Sequence, residues 1–291
     1  MPLSISVSNV ASLIGQHQYT TANEALLAYL KKRNGHTYYT SLHRLGHTLD
    51  KEDAVVQLKR HLKATMPAYT TLCRHAIEDD DQTDAMITLL QDSVMHLKPD
   101  TMDSRTLEQV KKDLQRDIQS SIWKQKGNAR EKEGLDTHEE KHRVRLTRRN
   151  DTLYKKTFST SKGNTYTLRG KIDGYDEETD TVVDMKNRAN RFFKKLPDYE
   201  ACQLRCYMDM LGASKGQLIQ RYRGKVQTLA TLDSDLEAWK EIRDQLDDFV
   251  DFYCAFVKDN AAVDAFVLAH GVYTVLEDDV PRQRKKTKRV K

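Results

Sequence analysis

Along the first third of the chain, apolar residues recur every three to four positions, the spacing of helices with one buried face. SVSNVASLIG reads as a short helix opened by serine caps, and TTANEALLAYLKKRNG as a helix capped by Thr21 and stopped at Gly35. Residues 51–66, 80–97 and 103–125 continue the pattern, most clearly in LEQVKKDLQRDIQSSIW. From about Val144 the period shortens to two. DTLYKKTFST, a Ser-Lys-Gly-Asn turn and TYTLRGKIDGY predict a hairpin, and the acidic turn DEETD leads into a further strand, TVVDMKN. A helix is expected from about Pro197 to Leu211. KGQLIQRYRGKVQTLATL gives two more strands about an Arg-Gly-Lys turn, and DSDLEAWKEIRDQLDDFVDFYCAFV a long closing helix capped by Asp233 or Ser234. The pattern predicts an α/β protein: a helical region, then strands and helices in alternation.

Composition narrows the class. With 291 residues, 31% charged and 38% apolar, the chain can bury a sizeable core beneath a very polar surface. It has no apolar run long enough to cross a membrane, and the opening MPLSISVSNVASLIGQ lacks the basic and apolar regions of a secretory signal, so an intracellular protein is expected. Four irregularly spaced cysteines suit neither a disulfide scaffold nor an iron–sulfur cluster. The tail VPRQRKKTKRVK carries seven cations and no acid, more than the whole chain's net +5, so the body is slightly acidic. Such an arm suits nucleic acid, with Arg284, Lys285 and Lys286 as candidate contacts, or delivery to a nucleus or a viral replication site.

The strand VVDMKN starts apolar and ends with Asp184 and Lys186 on one face, since side chains alternate along a strand. Asp173 ends the preceding strand, eleven residues earlier, across a tight turn. A hairpin brings these two carboxylates together, where they repel unless a divalent cation lies between them. Hard cations such as Mg²⁺ (or Mn²⁺) prefer carboxylate oxygens, and a lysine beside one can orient water or stabilise developing charge. The combination suits phosphodiester hydrolysis. Downstream, Gln203 and Tyr207 lie four apart on one helix face. Upstream, Glu131 follows Gly127 by four, with Glu133 as its competitor. NRANRFFKK, just after the strand, interleaves aromatic residues with Arg188, Arg191, Lys194 and Lys195, as phosphate and base contacts would.

Glu131, Asp173, Asp184-Met185-Lys186 and Gln203…Tyr207, in that order, resemble the PD-(D/E)XK nuclease superfamily. GNARE is similar to the Gly-x-x-x-Glu of its lambda exonuclease and YqaJ viral recombinase branch, as is the opening SVSNVASLIGQHQYTTANEALLAYLKKR. The resemblance implies a restriction-endonuclease-like core, a mixed sheet flanked by helices, behind a helical N-terminal region. It divides the chain into 1–125 (helical region), 126–258 (nuclease core), 259–279 (extension) and 280–291 (basic tail). It implies that Asp173 and Asp184 hold Mg²⁺ with Glu131 and the Met185 carbonyl, that Lys186 serves the attacking water, and that Gln203 steadies the site. Nucleic acid would meet Ser8, Tyr207 and the basic residues named above. The expected activity is that of a metal-dependent deoxyribonuclease, an exonuclease on DNA ends in recombination, repair or replication. Its partners would be DNA, as duplex ends or single strands, with a recombinase or single-strand-binding protein, and it could form an oligomer. Two features depart from the pattern: Ile172 stands where the family's name has proline, and MPLSIS holds no arginine before the serines, which leaves the polarity of digestion open.

Two rival readings belong to other classes. One is a non-cutting DNA-binding relative with the same fold. The other is a zinc protease through His138-Glu139-Glu140-Lys141-His142, which matches H-E-x-x-H but sits in a highly charged helix that offers little to bury.

Overall fold

The computed structural model describes residues 2–47, 50–99 and 102–273. In chain order the elements are β1 (Leu3–Ser6), a 3₁₀ turn (Val7–Asn9), α1 (Val10–Leu13), α2 (Ala22–Arg33), α3 (Gly35–Arg44), α4 (Lys51–Thr65), α5 (Tyr69–Glu78), α6 (Thr83–Met95) and α7 (Ser104–His142). There follow β2 (Leu146–Thr147), β3 (Tyr154–Ser159), β4 (Thr165–Gly170), β5 (Gly174–Asp176), β6 (Thr181–Asn187), α8 (Asp198–Leu211), β7 (Lys215–Tyr222), β8 (Lys225–Asp233), α9 (Leu236–Phe256) and α10 (Asn260–His270). The basic tail, with Arg284, Lys285 and Lys286, lies outside the described residues.

The strands form two sheets, ordered β1-β4-β3 and β2-β5-β6-β7-β8. In the larger one β6 and β7 run parallel, joined by α8, because a parallel pair needs a long crossover. The other pairs of that sheet are antiparallel, so the sheet is mixed and helices flank it. This is the expected α/β class. Among the described residues no helix is long and apolar enough to cross a membrane, and all four cysteines are free.

Apolar side chains gather in three clusters. The first joins Ile5, Leu30 and Tyr38 of the N-terminal segment to Leu168, Val182 and Leu218 of the sheets and to α8, α9 and α10. The second lies among α4–α6 and the first half of α7, around Leu58, Leu90 and Leu114. The third, with Leu135, Val183, Met185 and Ile219, glues the second half of α7 to the other face of the larger sheet. At 39 residues, α7 is one unbroken helix across the expected boundary at 125/126, about 58 Å long at 1.5 Å per residue. Gly134 lets it lie close: a Cβ there would come within 3.0 Å of the Met185 methyl.

Several local expectations change. LSIS, just ahead of the expected short helix, forms a strand, β1, parallel to β4, and SVSNVASLIG then supplies the 3₁₀ turn and α1. The hydroxyls of Ser6 and Ser8 bond one another at 3.0 Å, and neither the 3₁₀ turn nor α1 has a side-chain cap. TLRGKIDG is two strands in two sheets, parted at residues 171–173. Gly170 ends the first beneath the Tyr207 ring, where a Cβ would approach to 2.6 Å. Thr21 caps α2 in a full capping box with Glu24. The closing helix is capped by Asp235, whose carboxylate accepts the N–H groups of Glu237 and Ala238, because β8 already takes Asp233.

Candidate active site

The site is built where β5 begins beside β6. Gly174 pairs with Val183, so Asp173 stands across from Asp184 as the register continues. Asp173 is not itself in the ladder. Its carboxylate accepts the Met185 N–H at 2.7 Å, in the place a strand carbonyl would occupy. Along β6 the alternation separates two tasks. Val183 and Met185 face α7 and its apolar cluster. Asp184 and Lys186 share the opposite face with Val182, toward α8.

On that face Lys186 Nζ lies 2.7 Å from Asp184. From α8, the Gln203 side-chain amide donates to Asp184 at 3.1 Å and accepts from Lys186 at 3.4 Å. Glu131 reaches the same cleft from α7, where its carboxylate accepts from the Asn150 side chain, which also reaches Asp173 at 3.4 Å. The Asn187 side chain donates to the Gly127 carbonyl at 2.9 Å and ties the strand end to α7. Ser120, Lys124 and Asn128 complete an open cleft of about 410 Å³.

Its electrostatics are unbalanced. Burial, then the negative charges of Asp184 and Glu131, push the Asp173 carboxyl up to about 7 despite Lys186 and the Met185 N–H. Burial and Asp184 also raise Glu131. Burial alone would lower Lys186, but Asp184 and Asp173 outweigh it and hold the ammonium above its ordinary value. Asp184 is 3% exposed, and its Oδ2 has no hydrogen-bond donor other than its ion-pair contact with Lys186. An excess of buried carboxylate of this kind fits a hard divalent cation. Among the described residues no three His, Cys, Asp or Glu side chains are arranged to hold a metal by themselves. A cation here would rest on Asp173 and Asp184, with the Met185 carbonyl and water completing its shell, as suits Mg²⁺, whereas Glu131, expected as a further ligand, is held by the Asn150 side chain instead.

Other candidates fall elsewhere. Arg188 is not open to nucleic acid: its guanidinium is buried in a two-pronged pair with Glu200, at 2.5 and 2.8 Å, and takes Gln220 at 3.1 Å. Phe193 stacks on it at 3.9 Å, and Phe192 packs edge-on to Tyr222, so both aromatic residues pack rather than project. Tyr207 is buried against Gly170 and cannot reach a nucleic acid; burial raises its phenol above the usual value. Arg191, Lys194, Lys195 and Ser8 are exposed. Glu133 points to Arg221, at 2.7 Å, and leaves the cleft to Glu131. Asn150, which links Glu131 to Asp173, escaped the sequence reading. Its one local signal is an asparagine in a short polar loop, here at φ 49°.

The H-E-x-x-H segment is not the solvated helix face that its charge suggested. His138 is buried against the larger sheet, and burial with the neighbouring His142 lowers it to about 4. Glu139 is engaged by the Leu146 N–H at 2.6 Å and by Arg149 at 3.1 Å, which leaves no free base for a zinc protease.

A mixed sheet presenting two aspartates and a lysine at adjoining strand ends, with a glutamine helix over them, is an arrangement that suits metal-assisted phosphodiester chemistry. Comparison of the sequence with family models agrees: the model of the PD-(D/E)XK nuclease superfamily matches residues 42–265, and the chain belongs to that superfamily. No curated protein matches the chain significantly. Among solved structures it is similar to a phage related exonuclease from Haemophilus somnus 129PT (TM-score 0.42, 11% identity, covering 89% of this chain and 96% of that one). It is also similar to an alkaline exonuclease, LHK-Exo, from Laribacter hongkongensis (0.38, 10%, 64% and 88%). A third is SSO0001 (0.36, 15%, 58% and 86%).

Proposed function

We propose that the protein is a divalent-metal-dependent deoxyribonuclease, an exonuclease that processes DNA ends in recombination, repair or replication. The observation that carries this reading is the buried pair Asp173 and Asp184 with Lys186 against them, a cluster with more negative charge than its own residues neutralise. Mg²⁺ is the cofactor the donor set favours, and Mn²⁺ would serve. A divalent cation in such a site supplies Lewis-acid stabilisation of a phosphate and acidifies water. Asp173 and Asp184 hold it, and the Met185 N–H fixes the Asp173 carboxylate in place. Lys186 stays protonated between two aspartates, which suits it to meet charge developing on phosphate oxygens and not to remove a proton. Gln203 holds Asp184 and Lys186 in register. Glu131, bonded through Asn150, borders the same cleft and positions water or a further ligand.

DNA is the macromolecular partner, and action inside the cell, at a nucleus or a viral replication site, accords with the basic tail. The test is a Mg²⁺ titration on end-labelled linear and covalently closed circular duplex DNA. Loss of the linear form alone supports an end-dependent exonuclease, and the label gives its polarity. Cutting of the circle would make it an endonuclease. No cutting with Mg²⁺ or Mn²⁺ would overturn the catalytic reading.

A further inference from the structure

The two histidines of His138-Glu139-Glu140-Lys141-His142 take no part in the cleft, yet the fold brings them together. They lie four apart in the last turns of α7, with ring centres 4.5 Å from one another. Between Glu131 and His138 the helix rises about 10 Å, so the pair stands away from the cleft. Beside them is a separate cavity of about 320 Å³, over the starts of β6 and β7, whose walls include Asp176, Thr181, Gln217 and Thr231. β6 begins at this cavity with Thr181 and reaches the cleft with Lys186, so the two occupy opposite ends of one strand.

Packing does not account for the polar groups gathered here. His138 is 3% exposed, and its Nδ1 is buried with no hydrogen-bond partner. A buried polar atom without a partner is costly, and few are left that way. Asp176, at the end of β5, is 7% exposed. Its carboxylate accepts from the Glu178 N–H at 3.0 Å and the Thr179 hydroxyl at 2.6 Å, both neutral donors, and no ion pair offsets its charge among the described residues. His142 is exposed and opens the pair to solvent. Lys215, the lysine of the cavity wall, is exposed too, so solvent screens its charge.

Two imidazoles one helical turn apart, with a carboxylate on the same cavity, form a donor set for a cation, and the donor type selects which cation. Imidazole nitrogen suits Zn²⁺, Cu²⁺ and Ni²⁺, whereas Mg²⁺ prefers oxygens such as those of the cleft. The geometry agrees. A metal held by one nitrogen of each ring sets the ring centres roughly 5 Å apart. A small turn of the exposed His142 ring closes the difference from 4.5 Å.

We propose that His138 and His142 bind a transition-metal ion of the Zn²⁺ class in this cavity. The two imidazoles are its protein ligands. Among the described residues no third His, Cys, Asp or Glu is placed to join them directly, so water fills the rest of the shell and Asp176 meets the ion through that water. The ion ties the last turn of α7 to the sheet. It is no protease centre, since the Leu146 N–H and Arg149 occupy Glu139. The site is independent of the nuclease reading and is tested without DNA.

The experiment titrates the full-length protein with ZnCl₂ by calorimetry, in saturating Mg²⁺ that competes for the carboxylates of the cleft, and follows melting with and without Zn²⁺. Wild type is compared with His142→Gln and Asp176→Asn. His142 is exposed, so its exchange spares the packing, and Asn at 176 keeps an acceptor for the Glu178 N–H. Zinc-free melting of each variant checks that it folds, and His142→Gln alone decides if Asp176→Asn does not. The expected result is a Zn²⁺ ion bound by wild type and not by His142→Gln, with a rise in melting temperature that this variant lacks. Asp176→Asn is expected to bind Zn²⁺ about tenfold more weakly. No Zn²⁺ uptake by wild type, or full affinity in either folded variant, overturns the proposal.

Discussion

Two charge clusters share the end of β6 and the same flank of α8, and they are built in opposite ways. Asp173, Asp184 and Lys186 crowd buried carboxylates together until one of them is pushed up to about 7. Arg188 and Glu200, a turn of chain away, are matched prong for prong, buried to 7% and 2% side-chain exposure, and supplemented by Gln220, which also bonds both the N–H and the carbonyl of Phe193. The second cluster needs nothing from outside; it locks the segment after β6 against α8 and β7. The first keeps more buried carboxylate than its lysine offsets. Charge alone does not mark a functional site. What marks it is charge that the protein leaves uncompensated, held in place by neighbours that are themselves satisfied.

The comparison breaks most visibly at the satisfied cluster. Arg188→Ala leaves Glu200 buried and unpaired and should cost about 3–5 kcal/mol of stability, read from urea unfolding. An unchanged midpoint would mean that the pair is ornamental. The incomplete cluster should behave in the opposite sense. A carboxyl whose folded pKa is raised costs stability above that pKa, so metal-free Asp173→Asn should gain about 1–3 kcal/mol above pH 7. The gain should fade as pH falls from 7 toward 4, where the wild-type carboxyl is protonated in both states. The variant should also lose any stabilisation by Mg²⁺.

A third group sharpens the contrast. His138 is buried neutral and lowered to about 4, so its contribution is complete above about pH 6.5 and is lost as pH falls toward 4. Thermal melts across that range should show about 2 kcal/mol of acid destabilisation that His138→Gln removes. The smallest effect is expected at Tyr207. Its ring fills the space over Gly170, so Tyr207→Phe should change stability by less than about 1 kcal/mol and leave cleavage within a few-fold.

Much of this was legible in the sequence because it is local. Thr21 with Glu24 writes its own helix start, and the period-two run ending in Asp184 and Lys186 writes the face they share. What the chain hides is pairing at a distance. Leu3–Ser6 alternates like a strand, but its serines read equally as caps, and only its parallel partner β4 decides. Glycines at 127 and 134 and a dense run of charge disguise the continuity of α7; Gly134 is there for close approach to Met185. Arg188 looks like a phosphate ligand until Glu200, twelve residues on, closes over it. His138 looks solvated because its neighbours in sequence are charged, while its neighbours in space belong to the sheet. Asn150 carries no signature at all: its role exists only where Glu131 and Asp173 meet.

The central claim is that the uncompensated cluster is the catalytic one, and Lys186→Ala tests it most directly. Cleavage of end-labelled linear DNA in Mg²⁺ and thermal melting should be measured on the same preparation beside wild type. The account predicts a cleavage rate lower by at least about 10²-fold with the fold retained, the loss expected when a group that stabilises transition-state charge is removed. Cleavage within a few-fold of wild type by a folded variant would contradict it.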